Sequence, residues 1–290
     1  MGMVESYVPD GYEIEDFPDV RIVVKKAETA RAGELREILH AVWEGRTGVF
    51  DLRAVTAGRG DIFLADAPGW GEIVIRAYRH GGVLGRLWGT FFFSPRRFLN
   101  ELKITELACG AGVTSLEPVG IAYRRSALGV RGFWVSRRMA GAESLHSYMT
   151  TKPPTRGCIE KVALTVAKMH EGGIGHADLN IQNIMVAPGE ESLEVSVIDF
   201  DKAVHRPVLT PGERIRQLRR LDRSLLKWLP EHSAWRCPFH RLRFAAVYSR
   251  RFPDTRPLLK AYLRNFEKHQ RSYRLGWVIQ SLLGVSKKQS

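Results

Sequence analysis

Apolar residues recur along this chain with two distinct periods, and the periods divide it. Leu35, Ile38, Leu39, Val42 and Trp43 fall three and four positions apart, which predicts a helix over 27–43 with one apolar face. A strand at 20–24 precedes it. Short apolar runs follow, Ile62-Phe63-Leu64 and Ile73-Val74-Ile75, separated by a turn at Pro68-Gly69 and predicted as strands. Helical spacing returns at 97–109 through Phe98, Leu102, Leu107 and Ala108. Strands are predicted at 114–119 and 132–135. Helices then dominate: 158–171, stopped by Gly172-Gly173; 213–229, opened by a capping box at Thr210-Pro211-Gly212-Glu213; and 258–266. One hairpin interrupts them, Ile184-Met185-Val186 and Val195 to Ile198, with a turn at Pro188-Gly189. Strands gathered in the first half and helices in the second predict an α+β protein.

The chain has 290 residues, enough for two lobes with a real core. No apolar run approaches the length that spans a bilayer. Met1 to Asp10 lacks the apolar stretch of a secretory signal. Cys109, Cys158 and Cys237 are scattered and odd in number, so neither a disulfide frame nor a zinc site is indicated, and a cytoplasmic setting is expected. The formal net charge of +13 favours polyanionic partners. With no nucleic-acid motif in view, an anionic membrane surface or glycolipid is expected ahead of nucleic acid. Residues 77–97 interleave Arg79, His80, Arg86, Arg96 and Arg97 with Trp88, Phe91, Phe92 and Phe93. That pattern suits either a surface holding phosphorylated lipid or rings plugging a small core. The basic helix at 213–229, with Arg214, Arg216, Arg219, Arg220 and Arg223, offers a second surface for anionic lipid. The tail at 273–288, with Trp277, Ile279 and Leu282 between basic ends, suits an interfacial helix or docking on the large lobe.

The chemistry concentrates at His176-Ala177-Asp178-Leu179-Asn180-Ile181-Gln182-Asn183 and Asp199-Phe200-Asp201. A hairpin between them would bring acidic and amide groups to one ligand. Magnesium takes hard oxygen ligands and keeps phosphate oxygens in its shell, and a metal-free carboxylate can take a proton from an attacking hydroxyl. Those are the requirements of phosphoryl transfer.

This spacing resembles the catalytic loop and metal-binding strand of protein-kinase-like enzymes. It is most similar to the lipopolysaccharide-core kinases, and among them to those that phosphorylate 3-deoxy-D-manno-octulosonic acid (Kdo) on lipid A. The run Ile75-Arg76-Ala77-Tyr78-Arg79-His80-Gly81-Gly82 also matches that group, and the resemblance covers roughly residues 50–230. It implies a two-lobed fold: an N-terminal extension at 1–50, a β-rich nucleotide-binding lobe at 51–140 and a mainly helical catalytic lobe at 141–290. It implies ATP and Mg2+, with Asp178 accepting the sugar hydroxyl's proton and Asn183 and Asp199 holding the metal. Gly58, Arg59 and Gly60 would arch over the phosphates, and Arg76 would grip them where protein kinases use lysine. A helix carboxylate, Glu101 or its competitor Glu106, would hold that cation. Backbone near Met139 would meet adenine. Asp201 stands where protein kinases carry glycine, as a further carboxylate near the metal or a turn cap. The implied partner is a lipopolysaccharide precursor glycolipid, met peripherally at the inner membrane. Kinases of other small molecules, and a catalytically dead kinase-fold protein, remain rival readings.

Overall fold

The computed structural model describes residues 6–46, 50–57, 60–79, 89–189 and 193–265. They group into two compact units, Met1–Ala142 with Ser196–His205, and Glu143–Val195 with Arg206–Ser290.

The first unit is built on a seven-stranded sheet of order β1-β2-β6-β7-β5-β4-β3, antiparallel at every step. Its strands are β1 (Tyr12–Asp16), β2 (Arg21–Lys25), β3 (Arg53–Ala57), β4 (Gly60–Ala67), β5 (Gly71–Ala77), β6 (Pro118–Ser126) and β7 (Gly129–Arg137). Alternate side chains of a strand point to opposite faces. Ile22, Val24, Ala122, Phe133 and Val135 therefore pack with Leu35, Ile38 and Leu39 of helix α1 (Ala32–Glu44). Val23, Ile121, Tyr123 and Trp134 pack with Phe98, Leu99 and Leu102 of helix α2 (Arg96–Gly110). The first fifty residues thus supply two strands and the helix that covers one face.

Two predicted elements shift. The expected helix at 27–43 begins with a 3-10 turn, Lys26–Arg31, and becomes α-helical only at Ala32. There the Thr29 hydroxyl donates to Lys26 O at 3.0 Å, an alternative to the helical backbone bond. The strand expected at 114–119 starts at Pro118 and runs to Ser126. Residues 118–123 are buried throughout, so the polar alternation that marks a half-exposed strand is missing.

The aromatic run divides: Phe92 lies in the core, stacked edge-on to Phe98 at 5.1 Å, while Phe93 is 86% exposed. His80, Arg86 and Trp88 lie outside the described residues, as do 273–288.

The second unit holds α3 (Leu145–Thr151), α4 (Arg156–Glu171), α5 (Pro211–Trp228), α6 (Pro238–Arg251) and α7 (Arg256–Arg264). Ser144 and Thr155 cap α3 and α4, and the Thr210–Glu213 box caps α5. Strand β8 (Glu143–Ser144) pairs with β9 (Ile184–Pro188), which neighbours β10 (Leu193–Val197). Helix α6 has no clear sequence signature, because arginines interrupt its thin buried set of Ala245, Val247 and Tyr248. Arg214 is corrected from surface to core. Its guanidinium is buried and donates to Thr255 Oγ1 at 3.0 Å, to Leu209 O and to Asp254.

Candidate active site

Strand β5 ends by presenting Arg76. One guanidinium nitrogen donates to Glu101 Oε1 at 2.6 Å, and another lies 3.4 Å from Asp199 Oδ1. Tyr78 supports the cation, its ring 5.3 Å below the guanidinium and stacked on Phe98 at 4.0 Å. Glu101 is therefore the helix carboxylate that faces Arg76. Glu106 looks elsewhere, accepting the Tyr12 hydroxyl at 2.6 Å.

Glu101 is 2% exposed. Burial pushes its carboxyl up to about 7 against the pull of Arg76, and Asp199 and Asp201 add to the rise. Burial also works against the charge of Arg76, but Glu101 and Asp199 hold the guanidinium above its usual range. The permanent charge of arginine keeps the pair polarised.

Asp199 sits in a left-handed conformation, φ 64°. Two residues on, Asp201 meets Arg97 in a two-pronged ion pair, Arg97 Nε donating to Oδ1 at 2.5 Å. Arg97 lies one turn before Glu101 on α2. Between them Asn100 donates to Ala203 O at 3.3 Å. Helix α2 thus grips the Asp199–Ala203 segment through Arg97 and Asn100 directly and through Glu101 by way of Arg76. Sequence reasoning left Asp201 as a metal carboxylate or a turn cap and gave Arg97 no partner. The signal was the unpaired acidic residue after Phe200, but only the fold shows which arginine answers it.

The second unit carries the other half of the motif. His176 is buried, and its Nδ1 accepts from Asp178 N at 3.1 Å. Asn180 donates to Asp178 O at 2.9 Å and accepts from Gln182 N at 2.8 Å. The Asn183 amide nitrogen closes the turn on Asp178 O at 3.0 Å, leaving Oδ1 directed away from that bond. The five-residue spacing has a local cause: Asn183 ties the loop shut on the backbone of Asp178. The Asp178 side chain is exposed.

Helix α5 fixes this loop at two points that sequence reasoning missed. Gln217 Oε1 accepts from His176 N at 2.7 Å, and Ser224 Oγ accepts from Ile181 N at 3.0 Å. The same Gln217 oxygen lies 3.2 Å from His170 Nε2, while His170 Nδ1 lies 2.6 Å from the Tyr248 hydroxyl. Burial drives the His170 pKa down to about 3, so the ring is neutral. The network then assigns its proton to Nε2, with Tyr248 donating to Nδ1.

Gly58 and Arg59 lie outside the described residues, and Gly60 opens β4 opposite Ala57. Met139 follows β7, its sulfur accepting from Ser196 Oγ at 3.8 Å.

Taken unit by unit, Asp199 Oδ1 in the first is buried without a hydrogen bond among the described residues, an oxygen of the kind a hard divalent ion takes, and Asn183 in the second bonds Asp178 O through its amide nitrogen and not its oxygen.

Comparison with known proteins adds five observations. The family profile described as "Lipopolysaccharide kinase (Kdo/WaaP) family" matches residues 52–245. A 3-deoxy-D-manno-octulosonic acid kinase of Xanthomonas campestris is 34% identical over 181 residues, 59% of this chain and 68% of that protein. One of Vibrio parahaemolyticus is 33% identical over 135 residues, 45% of this chain and 56% of that protein. Among solved structures, WaaP in complex with acyl carrier protein aligns over 87% of this chain and 98% of its own, with TM-score 0.50 and 21% identity. Amicoumacin kinase hAmiN, in complex with AMP-PNP, Ca2+ and Ami, aligns over 79% and 80%, with TM-score 0.51 and 11% identity. These likenesses establish the fold as α+β and kinase-like.

Proposed function

The chain belongs to the lipopolysaccharide kinase (Kdo/WaaP) family, so its reaction class is phosphotransfer, and from that premise we propose that it moves the γ-phosphoryl group of ATP to a hydroxyl of Kdo on lipid A. The observation that carries this reading is the Glu101–Arg76–Asp199 relay, an intact arginine version of the cation–carboxylate pair that active kinases need.

Asp178 accepts the proton of the sugar hydroxyl as its oxygen attacks the γ-phosphorus. The bond to the bridging β–γ oxygen breaks, and ADP leaves with that electron pair. Arg76 neutralises phosphate charge while Glu101 aims its guanidinium. Backbone near Met139 receives adenine. Asn183 and Asp199 would hold Mg2+, which when bound offsets the charge on the phosphate oxygens. Most of the rate gain then comes from positioning and charge neutralisation. The excess of basic residues suits an acceptor carried on an anionic bilayer, met peripherally from the cytoplasmic side.

The test is transfer from labelled ATP to Kdo-lipid A, a heptosylated core and soluble sugars. Kdo-lipid A is expected to be labelled, and Asp178→Asn is expected to cut turnover by about 10²–10⁴-fold while nucleotide binding persists. Label only on soluble sugars rejects the acceptor, and near wild-type turnover in Asp178→Asn removes that residue from the chemistry.

A further inference from the structure

Helix α6 packs against α4 with one side and turns the other outward. The outward side reads Phe239, Leu242, Arg243, Ala246 and Arg250, whose spacing places them on a single stripe. Phe239 is 75% exposed and Leu242 51%. Two large apolar side chains one turn apart are unlike singly scattered surface hydrophobics. Helix α7, which packs against α6, adds exposed Arg256, Lys260 and Arg264 and Leu258 at 40%.

The charge here is one-sided. Residues 238–264 contain seven Lys and Arg against one acidic residue, Asp254, which is taken by buried Arg214. Arg241 is held by Asp222 and Arg251 by Glu171. Arg243, Arg250, Arg256, Lys260 and Arg264 have no carboxylate within ion-pair distance among the described residues. These are neither the basic residues of α5 nor those of residues 77–97.

We propose that the outer face of α6, flanked by α7, docks on an anionic phospholipid bilayer. Phe239 and Leu242 enter the headgroup boundary, and Arg243 and Arg250 on the same stripe meet lipid phosphates. A phenyl ring and a leucine set between guanidinium groups match an interface that is apolar below and anionic at the surface. An acidic protein would answer the arginines but would have to supply its own apolar pocket. The inference extends the proposed membrane-borne acceptor, yet its test involves neither acceptor nor nucleotide.

The experiment is co-sedimentation of the full chain with phosphatidylcholine vesicles, with and without phosphatidylglycerol. Binding is expected only with the anionic lipid and is expected to weaken as salt rises. Phe239→Ser with Arg243→Glu is compared with a matched pair on the β6–β7 turn, Leu128→Ser with Arg125→Glu, where Leu128 is 71% exposed. The α6 pair is expected to lose at least about fifty-fold in partitioning, roughly five-fold of it from the charge and ten-fold from the ring. The turn pair is expected to lose no more than about five-fold, through net charge alone. Thermal midpoints near wild type confirm that both variants fold. Absence of binding to anionic vesicles, as an acidic protein partner would give, overturns the proposal. So does equal loss in the two pairs, or an α6 pair that binds like wild type. Labelled-ATP transfer to Kdo-lipid A dispersed in detergent, with no bilayer present, is expected to be unchanged in the α6 pair. Failure of transfer in the wild type would count against the kinase reading and leave the docking result standing.

Discussion

Replacing Arg97 with methionine probes how α2 holds the segment that carries Asp199. The change keeps most of the stem over Phe92, whose ring centre lies 5.0 Å from the guanidinium carbon, and strips Asp201 of its cation. Both side chains are largely buried, 22% and 16% exposed. Removing one partner of a buried pair costs about 3–5 kcal/mol, and the remaining water access brings this to roughly 2–3 kcal/mol. In a unit of this size each kcal/mol moves the unfolding midpoint by about 2–4 °C, so a drop of roughly 5–10 °C is expected by circular dichroism. Asp201→Asn can still accept from Arg97 and is expected to lose about half as much. The double variant is expected to lose less than the sum, with a coupling of about 1–3 kcal/mol. Turnover is expected to fall by about ten- to hundred-fold in both single variants, because Asp199 loses its anchor two residues away. Strictly additive losses, with coupling within about 0.5 kcal/mol of zero, would refute the clamp. A change in magnesium requirement in Asp201→Asn that Arg97→Met does not reproduce would instead make Asp201 a metal ligand.

The remaining expectations concern charge and space. The Arg76 pair needs Glu101 ionised, and its pKa sits at about 7, so kcat/KM is expected to fall as pH drops through 7. Glu101→Gln is expected to remove that acidic limb, and an unchanged profile in the variant would assign the limb to another group. At Gly120 a Cβ would overlap the carbonyl oxygen of Val23 on the paired strand, so Gly120→Ala is expected to destabilise by about 2–3 kcal/mol in denaturant titration. An unchanged midpoint would mean that β2 and β6 separate at little cost.

Local signals were legible because their causes are local. The Thr210–Glu213 box, the stop at Gly172-Gly173 and the apolar stripe of α4 each depend on residues a turn apart, and each stands as read. The Asp178–Asn183 spacing is legible for the same reason, since one side chain closes the loop on a backbone oxygen five residues back. Strand β6 was only partly legible, because a strand buried on both faces loses the alternation that identifies it.

The sequence by itself determined that strands come first and helices after, that a carboxylate–amide loop precedes a second acidic turn, and that the chain is strongly basic. Only the tertiary structure decided which charges meet. Glu101 and Glu106 are both helix glutamates, but one faces Arg76 and the other Tyr12. Arg214 reads like its neighbours on α5 yet is buried on Thr255 and Asp254, whereas Arg243 and Arg250 stay in solvent. Arg97 finds Asp201 across 104 positions of chain. Helix and strand periods follow from contacts a few residues apart, but the partner of a long, charged side chain is set by which elements pack together, and no local pattern encodes that.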